Sequence, residues 1–239
     1  LEERWVDNQG VAVHYLMNGD FGTTKVPLLI LPGLCESADE YKWMLEKLSP
    51  HPCVVLSYRG RGKSARPKYG YTLYDHIQDM EAVTKDAGLQ AIAMYGFSRG
   101  VSYMLGYALS NKSAIKGMII GDYPALHKTL SRKWLSQYSY IPFPGSGKEK
   151  AKLSYKVAKA LQNDSHDVVF WEALSGFQFP VLVIKGEGSQ SFISKQDMRK
   201  YEWYLPIFQP MILNGYGHNI NEDKRICDII KKYLLMIER

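Results

Sequence analysis

The chain has 239 residues and a mass of 27.3 kDa, with 46% hydrophobic and 23% charged residues and a mean hydropathy of -0.26. These values exclude a disordered or collagen-like chain and leave room for one large domain with a sizeable core. The most apolar run, Val26 to Leu34, is interrupted by Pro32 and falls far short of the roughly 18 apolar residues of a membrane span. The net charge of +6 and pI near 9.0 permit acidic partners but lack the dense basic tracts of a nucleic-acid binder. The opening Leu1-Glu2-Glu3-Arg4-Trp5 has no apolar stretch of the secretory kind. Cys35, Cys53 and Cys227 are odd in number and widely spaced, so they form neither a disulfide framework nor a CxxC metal pair. A reducing, cytoplasmic setting is the expectation.

Taken in chain order, Arg4 to Asp7 and Val11 to Leu16 are two short strands joined through Asn8-Gln9-Gly10, an antiparallel hairpin at a sheet edge. Four continuous apolar runs follow, as expected of parallel strands buried on both faces: Pro27 to Leu31, Val54 to Ser57, Ala91 to Tyr95 and Gly117 to Ile120. Helical stretches separate them. Val181 to Ile184 and Pro210 to Leu213 complete eight strands, and Asp223 to Glu238 is an amphipathic closing helix. The pattern predicts an α/β class, a mostly parallel sheet with helices on both faces.

Between the sixth and seventh strands, residues 123–179 are too many for a simple connection. The expectation is a core domain of residues 1–122 and 180–239 carrying a mostly helical cap, residues 123–179. A turn cluster, Pro142 to Gly147, divides the cap, and its aromatics, Trp134, Tyr140, Trp171 and Phe177 among them, fit either a lid over a site or the cap's own core. Eight Lys and Arg face four Asp and Glu there, a balance that would steer an anionic acyl donor or simply solvate a helix face.

At the end of the fifth strand stands Gly96-Phe97-Ser98-Arg99-Gly100, a G-x-S-x-G pentapeptide followed by a helical run. A strand, sharp turn and helix of this composition exposes a serine hydroxyl on a strained backbone, with glycines allowing close approach. A serine hydroxyl is a weak nucleophile until a base takes its proton. His218 fits that role, because it follows the last strand in the glycine-rich Asn214-Gly215-Tyr216-Gly217-His218-Asn219. His14, His51, His76, His127 and His166 lack such a setting and read as structural. An oxyanion needs two fixed backbone donors, assigned to Arg99, after the nucleophile, and to Leu34, in the loop Leu31-Pro32-Gly33-Leu34-Cys35. Cys35 has no base of its own and reads as a packing residue.

With these residues and the segment Ser57-Tyr58-Arg59-Gly60-Arg61-Gly62-Lys63-Ser64, similar to D-x-R-G-x-G-x-S, the chain resembles the α/β-hydrolase superfamily over essentially its whole length. Ser57 stands where that pattern has Asp, and Pro32-Gly33 where it has His-Gly. The resemblance implies the eight-stranded α/β-hydrolase fold and places the acid after the seventh strand, where this chain reads Gly186-Glu187-Gly188-Ser189. The first choice of acid is Asp122, at the end of the sixth strand in Gly121-Asp122-Tyr123-Pro124, a position that some members use and that keeps the order Ser, Asp, His. Glu187 is the alternative, with Ser189 as an auxiliary hydrogen-bond partner of His218.

Neither a P-loop nor a dinucleotide fingerprint survives inspection: Ser57 occupies the first glycine position of the former, and Pro67 follows the glycines of the latter where a helix should open. No HExxH or Cys/His cluster suggests a metal. Serine rather than Asp at the nucleophile position argues against dehalogenase or epoxide hydrolase chemistry. The expectation is a serine hydrolase, carboxylesterase-like, needing no cofactor and acting on a small hydrophobic acyl substrate. Thioester, lactone, amide or carbon–carbon hydrolysis would use the same residues, and a slow-turnover ligand receptor would keep the same scaffold.

Overall fold

In the computed structural model, residues 1–138 and 153–239 are described. A hairpin of β1 (Glu2–Asn8) and β2 (Val11–Asn18) opens the chain, and both strands are longer than their alternating cores suggest, because the ladder runs on through polar ends from Glu2↔Met17 to Asn8↔Val11. Then come β3 (Leu28–Leu31), α1 (Lys42–Leu48), β4 (Cys53–Leu56), α2 (Leu73–Asp86), β5 (Ile92–Phe97), α3 (Gly100–Ser110) and β6 (Ile115–Gly121). The main sheet ends with β9 (Val181–Gly186), α6 (Lys195–Tyr204), β10 (Phe208–Leu213) and α7 (Ile226–Ile237), the last helix starting three residues later than its periodicity suggests. Between β6 and β9 lie β7 (Leu126–His127), α4 (Arg132–Tyr138), α5 (Tyr155–Asp164) and β8 (Val168–Val169).

The eight-stranded sheet has the order β1-β2-β4-β3-β5-β6-β9-β10, antiparallel at β1/β2 and β2/β4 and parallel from there on. The continuous apolar strands are buried on both faces. Leu29 and Leu31 face a core shared with α2, α3 and α6, while Leu28 and Ile30 face one shared with α1 and α7. Each such side chain contributes about 1.5–3 kcal/mol by leaving water. Local chemistry sets the helix starts: in α2 and α6 the capping pairs Thr72/Asp75 and Ser194/Asp197 satisfy the first free amides reciprocally.

The segment between β6 and β9 departs from a purely helical expectation. It contains the short antiparallel pair β7/β8, two strands that sequence periodicity passes over because each has two residues. Val157, Ala158 and Leu161 of α5 form a small core with Tyr71 and Leu135, against which Leu34 and Cys35 pack. The expected turn at Pro142 to Gly147, Tyr140, and the charges of Lys148, Glu149, Lys150 and Lys152 lie outside the described residues. Among the described residues, no helix is long and apolar enough to cross a membrane.

What this topology positions is the row of carboxyl ends. β3 is flanked by β4 on one side and β5 on the other, so the connections from its neighbours diverge there, the place at which open α/β sheets generally bind ligands. Leu31 pairs with Gly96, Phe97 with Gly121 and Gly121 with Ile184, so the loops leaving β3, β5, β6 and β9 emerge side by side.

Beneath this row, the fully buried Asp79 accepts from the backbone and Nε of Arg59 at 3.0 and 2.9 Å, from its Nη2 at 2.6 Å and from Asn8 Nδ2 at 2.8 Å. Replacing it would remove the acceptor of the Arg59 Nε and Nη2 groups and leave Asp75, 3.3 Å from Nη1, as the remaining carboxylate partner of this buried guanidinium among the described residues. Asp79→Ala is expected to destabilise the fold by about 3–5 kcal/mol in urea unfolding followed by tryptophan fluorescence.

Candidate active site

Ser98 follows β5 with φ 51°, in the left-handed region that a non-glycine residue enters only when its surroundings hold it there. Its amide donates to Gly121 O at 2.9 Å, and Val101 N, in the first turn of α3, donates back to Ser98 O at 2.9 Å. Gly100 makes the turn possible by close approach: a Cβ there would sit 2.3 Å from Leu31 O and 2.5 Å from Pro32 O. Asp122, fully buried at the end of β6, also has a positive φ, 45°, and its amide is tied to Ile184 O at 2.8 Å.

These two strained residues meet one imidazole. His218 Nε2 lies 2.9 Å from Ser98 Oγ, and His218 Nδ1 lies 2.8 Å from Asp122 Oδ2. The arrangement orders the protons: Nδ1–H donates to the carboxylate, which leaves Nε2 as an acceptor for the serine hydroxyl. Ring stacking holds the imidazole as well, with Phe97 at 5.2 Å and Phe192 at 3.6 Å between centroids. The loop carrying His218 folds tightly over the end of β9, where a Cβ on Gly186 would stand 1.7 Å from Gly217 O.

Asp122 is saturated with donors. Oδ1 accepts from Gly186 N at 2.9 Å and Ser191 Oγ at 2.5 Å, and Oδ2 accepts from Phe192 N at 2.9 Å besides the imidazole. Burial by itself would raise the pKa of this carboxyl, but the imidazole, the Ser191 hydroxyl and the two amides outweigh it and hold it below the ordinary carboxylate value.

The alternative acid is occupied elsewhere. Glu187 Oε2 accepts from Gly215 N at 2.7 Å, and Glu187 N donates to Tyr216 O at 2.6 Å, so this residue braces the His218 loop from below instead of reaching the ring. Ser189 makes no hydrogen bond to His218 among the described residues; the serine that enters the network is Ser191, two positions on, and it bonds the acid instead of the base.

The loop after β3 lies against the serine, since a Cβ on Gly33 would come 3.4 Å from Ser98 Cβ. Its shape is pinned from three sides. Gly33 N donates to Glu36 Oε2 at 2.7 Å, Gly33 O accepts from Glu36 N at 3.2 Å, and Leu34 O accepts from Arg61 Nε at 2.9 Å. A trans peptide points its C=O and N–H in opposite directions, so anchoring Gly33 O to Glu36 turns the Leu34 N–H away from that residue. Neither this amide nor that of Arg99 donates a hydrogen bond among the described residues, so both remain available donors.

Two buried histidines near the site have a role that their sequence context does not reveal. Arg61 Nη1 donates to His76 Nε2 at 2.8 Å, and Arg99 Nη2 donates to His127 Nε2 at 2.9 Å, so each imidazole is a neutral acceptor for a buried guanidinium. Burial, then Arg99 and His166, push His127 down to about 2, and burial, then Arg61, push His76 well below its ordinary value. Arg99 also donates to Lys128 O at 2.6 Å, which fastens the turn after Ser98 to the β7 segment. Ser57, at the expected Asp position, accepts from Ala38 N at 2.9 Å and contacts His14 Nδ1 at 3.1 Å, a neutral substitute that still ties the loop after β3 to the sheet.

Known proteins share this framework. A family described as alpha/beta hydrolase fold matches residues 26–142, the stretch from β3 through the Ser98 turn and β6. The chain has the α/β-hydrolase fold. Among solved structures, a thermophilic esterase from Thermogutta terrifontis is similar over 100% of both chains with TM-score 0.79 and 18% identity. An esterase from Exiguobacterium antarcticum is similar over 97% of this chain and 98% of its own, with TM-score 0.79 and 16% identity. A bromoperoxidase from Bacillus anthracis matches over 99% of both chains with TM-score 0.77 and 17% identity. At such identities the likeness is one of fold, and the chemistry of this chain has to be argued from its own residues.

The lowered pKa of Asp122 has a measurable sign. Its stabilising contribution is fully present above the ordinary carboxylate value of about 3.9 and is lost as pH falls through the lowered folded value. The stability difference between the parent chain and Asp122→Asn, read from urea midpoints across pH, is therefore expected to hold from neutral pH down to about 4 and to shrink only below it.

Proposed function

We propose that the protein is a serine hydrolase of carboxylesterase type, cleaving a small, mostly hydrophobic acyl ester through an acyl-enzyme on Ser98. The observation that carries this reading is the continuous chain Ser98 Oγ, His218 Nε2, His218 Nδ1 and Asp122 Oδ2, with links of 2.9 and 2.8 Å. As the Ser98 oxygen attacks the acyl carbonyl, its proton passes to His218 Nε2 and the carbonyl electrons move onto oxygen. The Leu34 and Arg99 amides receive that oxyanion. The tetrahedral intermediate then collapses, the carbon–oxygen bond to the alcohol breaks, and His218 returns the proton to the departing alkoxide. A water, deprotonated by the same nitrogen, repeats the sequence on the acyl-enzyme and releases the acid.

Asp122 stays ionised throughout and stabilises the imidazolium that forms in each half-reaction. No step needs a cofactor. Residues 123–179 act in this reading as a cap over the site, supported by the contact of Leu34 and Cys35 with the apolar face of α5. The free thiols of Cys35, Cys53 and Cys227 support a cytoplasmic setting. Burial pushes the Cys53 thiol up to about 12 and that of Cys227, mainly for the same reason, to about 11, which fits packing and not nucleophilic roles.

Turnover of short chromogenic esters tests the reading and the choice of acid together. Ser98→Ala is expected to abolish Ser98-dependent turnover, and Asp122→Asn to lower kcat by about 10³–10⁴. Glu187→Gln should stay within about threefold of the parent, because Glu187 touches only the loop backbone. Turnover that survives Ser98→Ala would overturn the assignment.

A further inference from the structure

Phe192 is an exposed aromatic, 53% open to solvent, in the loop after β9, so burial in a core does not account for its placement. Its ring nonetheless lies almost parallel to the His218 imidazole, at 3.6 Å between centroids and 16° between planes. Its amide donates to Asp122 Oδ2 at 2.9 Å, the same oxygen that holds His218 Nδ1. Ser191, immediately before it, donates to Asp122 Oδ1. One dipeptide therefore grips both members of the acid–base pair, the carboxylate through polar groups and the imidazole through a ring face.

We propose that Phe192 is a positioning residue for His218, holding the imidazole in register with Ser98 through its ring face. The inference rests on the serine-hydrolase reading. The need arises at the ring itself: Glu187 braces the backbone of the His218 loop, but the glycines at 215 and 217 bring no side chain to pack beside the imidazole. Phe97, buried at the end of β5, stands 5.2 Å from the imidazole between centroids, whereas the exposed Phe192 makes the closer ring contact at 3.6 Å. As His218 accepts the serine proton it becomes a cation lying over an aromatic face, an attraction that an aliphatic side chain of similar volume cannot supply.

The β9 loop thus has a different task from the one its sequence resemblance suggests. It provides no carboxylate to the imidazole; it supplies Gly186 N, Ser191 Oγ and Phe192 N to an acid on the neighbouring strand, and a ring to the base.

The test compares Phe192→Ala, Phe192→Leu, Phe192→Tyr and Phe192→Trp with the parent in two measurements. Steady-state kinetics on a short chromogenic ester should show kcat falling about tenfold for the alanine variant with KM within about twofold, as expected of a ring that acts through its contact with the base. Tyrosine and tryptophan should restore most of kcat, and leucine little of it. Labelling by diethyl pyrocarbonate, mapped by mass spectrometry, should carbethoxylate His218 several-fold faster in the alanine and leucine variants, with the exposed His166 as the internal reference. Leucine matching tyrosine in kcat, a loss confined to KM, or unchanged labelling of His218 would each overturn the proposal. If the parent shows no Ser98-dependent turnover, the hydrolase reading fails, while the labelling experiment still decides whether Phe192 holds His218.

Discussion

The turn at Ser98 exists because residue 100 has no side chain. The first turn of α3 presses against the carbonyls of Leu31 and Pro32 closely enough that a single methyl group would collide with both. That contact sets the direction in which α3 leaves the sheet, and with it the left-handed backbone at Ser98. A residue in this region is strained by roughly 1–3 kcal/mol, which the surrounding strands offset by fixing the Ser98 amide on Gly121. Everything else in the site is arranged around the position this gives the hydroxyl. The loop after β3 lies beside it, and the loop after β10 delivers His218 over it.

Strain recurs at Asp122, and the two positions are linked through one short bridge of backbone. Ser98 N bonds to Gly121 O, and the next residue, Asp122, bonds through its own amide to Ile184 O. The carboxylate therefore emerges from the sheet within reach of the β9 loop, whose amides and Ser191 hydroxyl hold it ionised although it is buried. A carboxylate desolvated without such donors would take up a proton and cease to orient the imidazole. Glu187 has the opposite fate. Its side chain bonds Gly215 N, so the residue at the more usual acid position supports the histidine loop.

Charge near the site is managed in an uncommon way. Arg59 is neutralised by Asp79, but Arg61 and Arg99 donate to the neutral imidazoles of His76 and His127 and to backbone carbonyls. His76 is fixed further by the parallel face of Tyr103 at 4.3 Å, and its Nδ1 donates to Thr72 O at 2.6 Å. Among the described residues neither of these two guanidinium groups forms a hydrogen bond to a carboxylate. Arg61 also holds Leu34 O directly, so the segment resembling D-x-R-G-x-G-x-S contributes to the shape of the loop in which Pro32 replaces the usual histidine.

The sequence by itself determined the eight main strands, the class of sheet, the Ser98 elbow and His218, because each is written in local pattern: continuous apolar runs for strands buried on both faces, glycines flanking a serine, and a histidine in a glycine-rich loop after the last strand. It also placed Asp122 ahead of Glu187, from residue chemistry and chain order. Three things were decided only by the tertiary structure. Ser191 and not Ser189 joins the network, since which serine of a loop turns toward a neighbouring strand depends on the loop's path. The two-residue strands β7 and β8 exist only by pairing with each other across 40 positions of chain, and two residues carry no period to detect. Phe192 stacks on a histidine 26 positions away, and Arg61 and Arg99 find histidine acceptors on other elements. Such partnerships are set by packing between distant segments, and no local pattern in a single sequence encodes them.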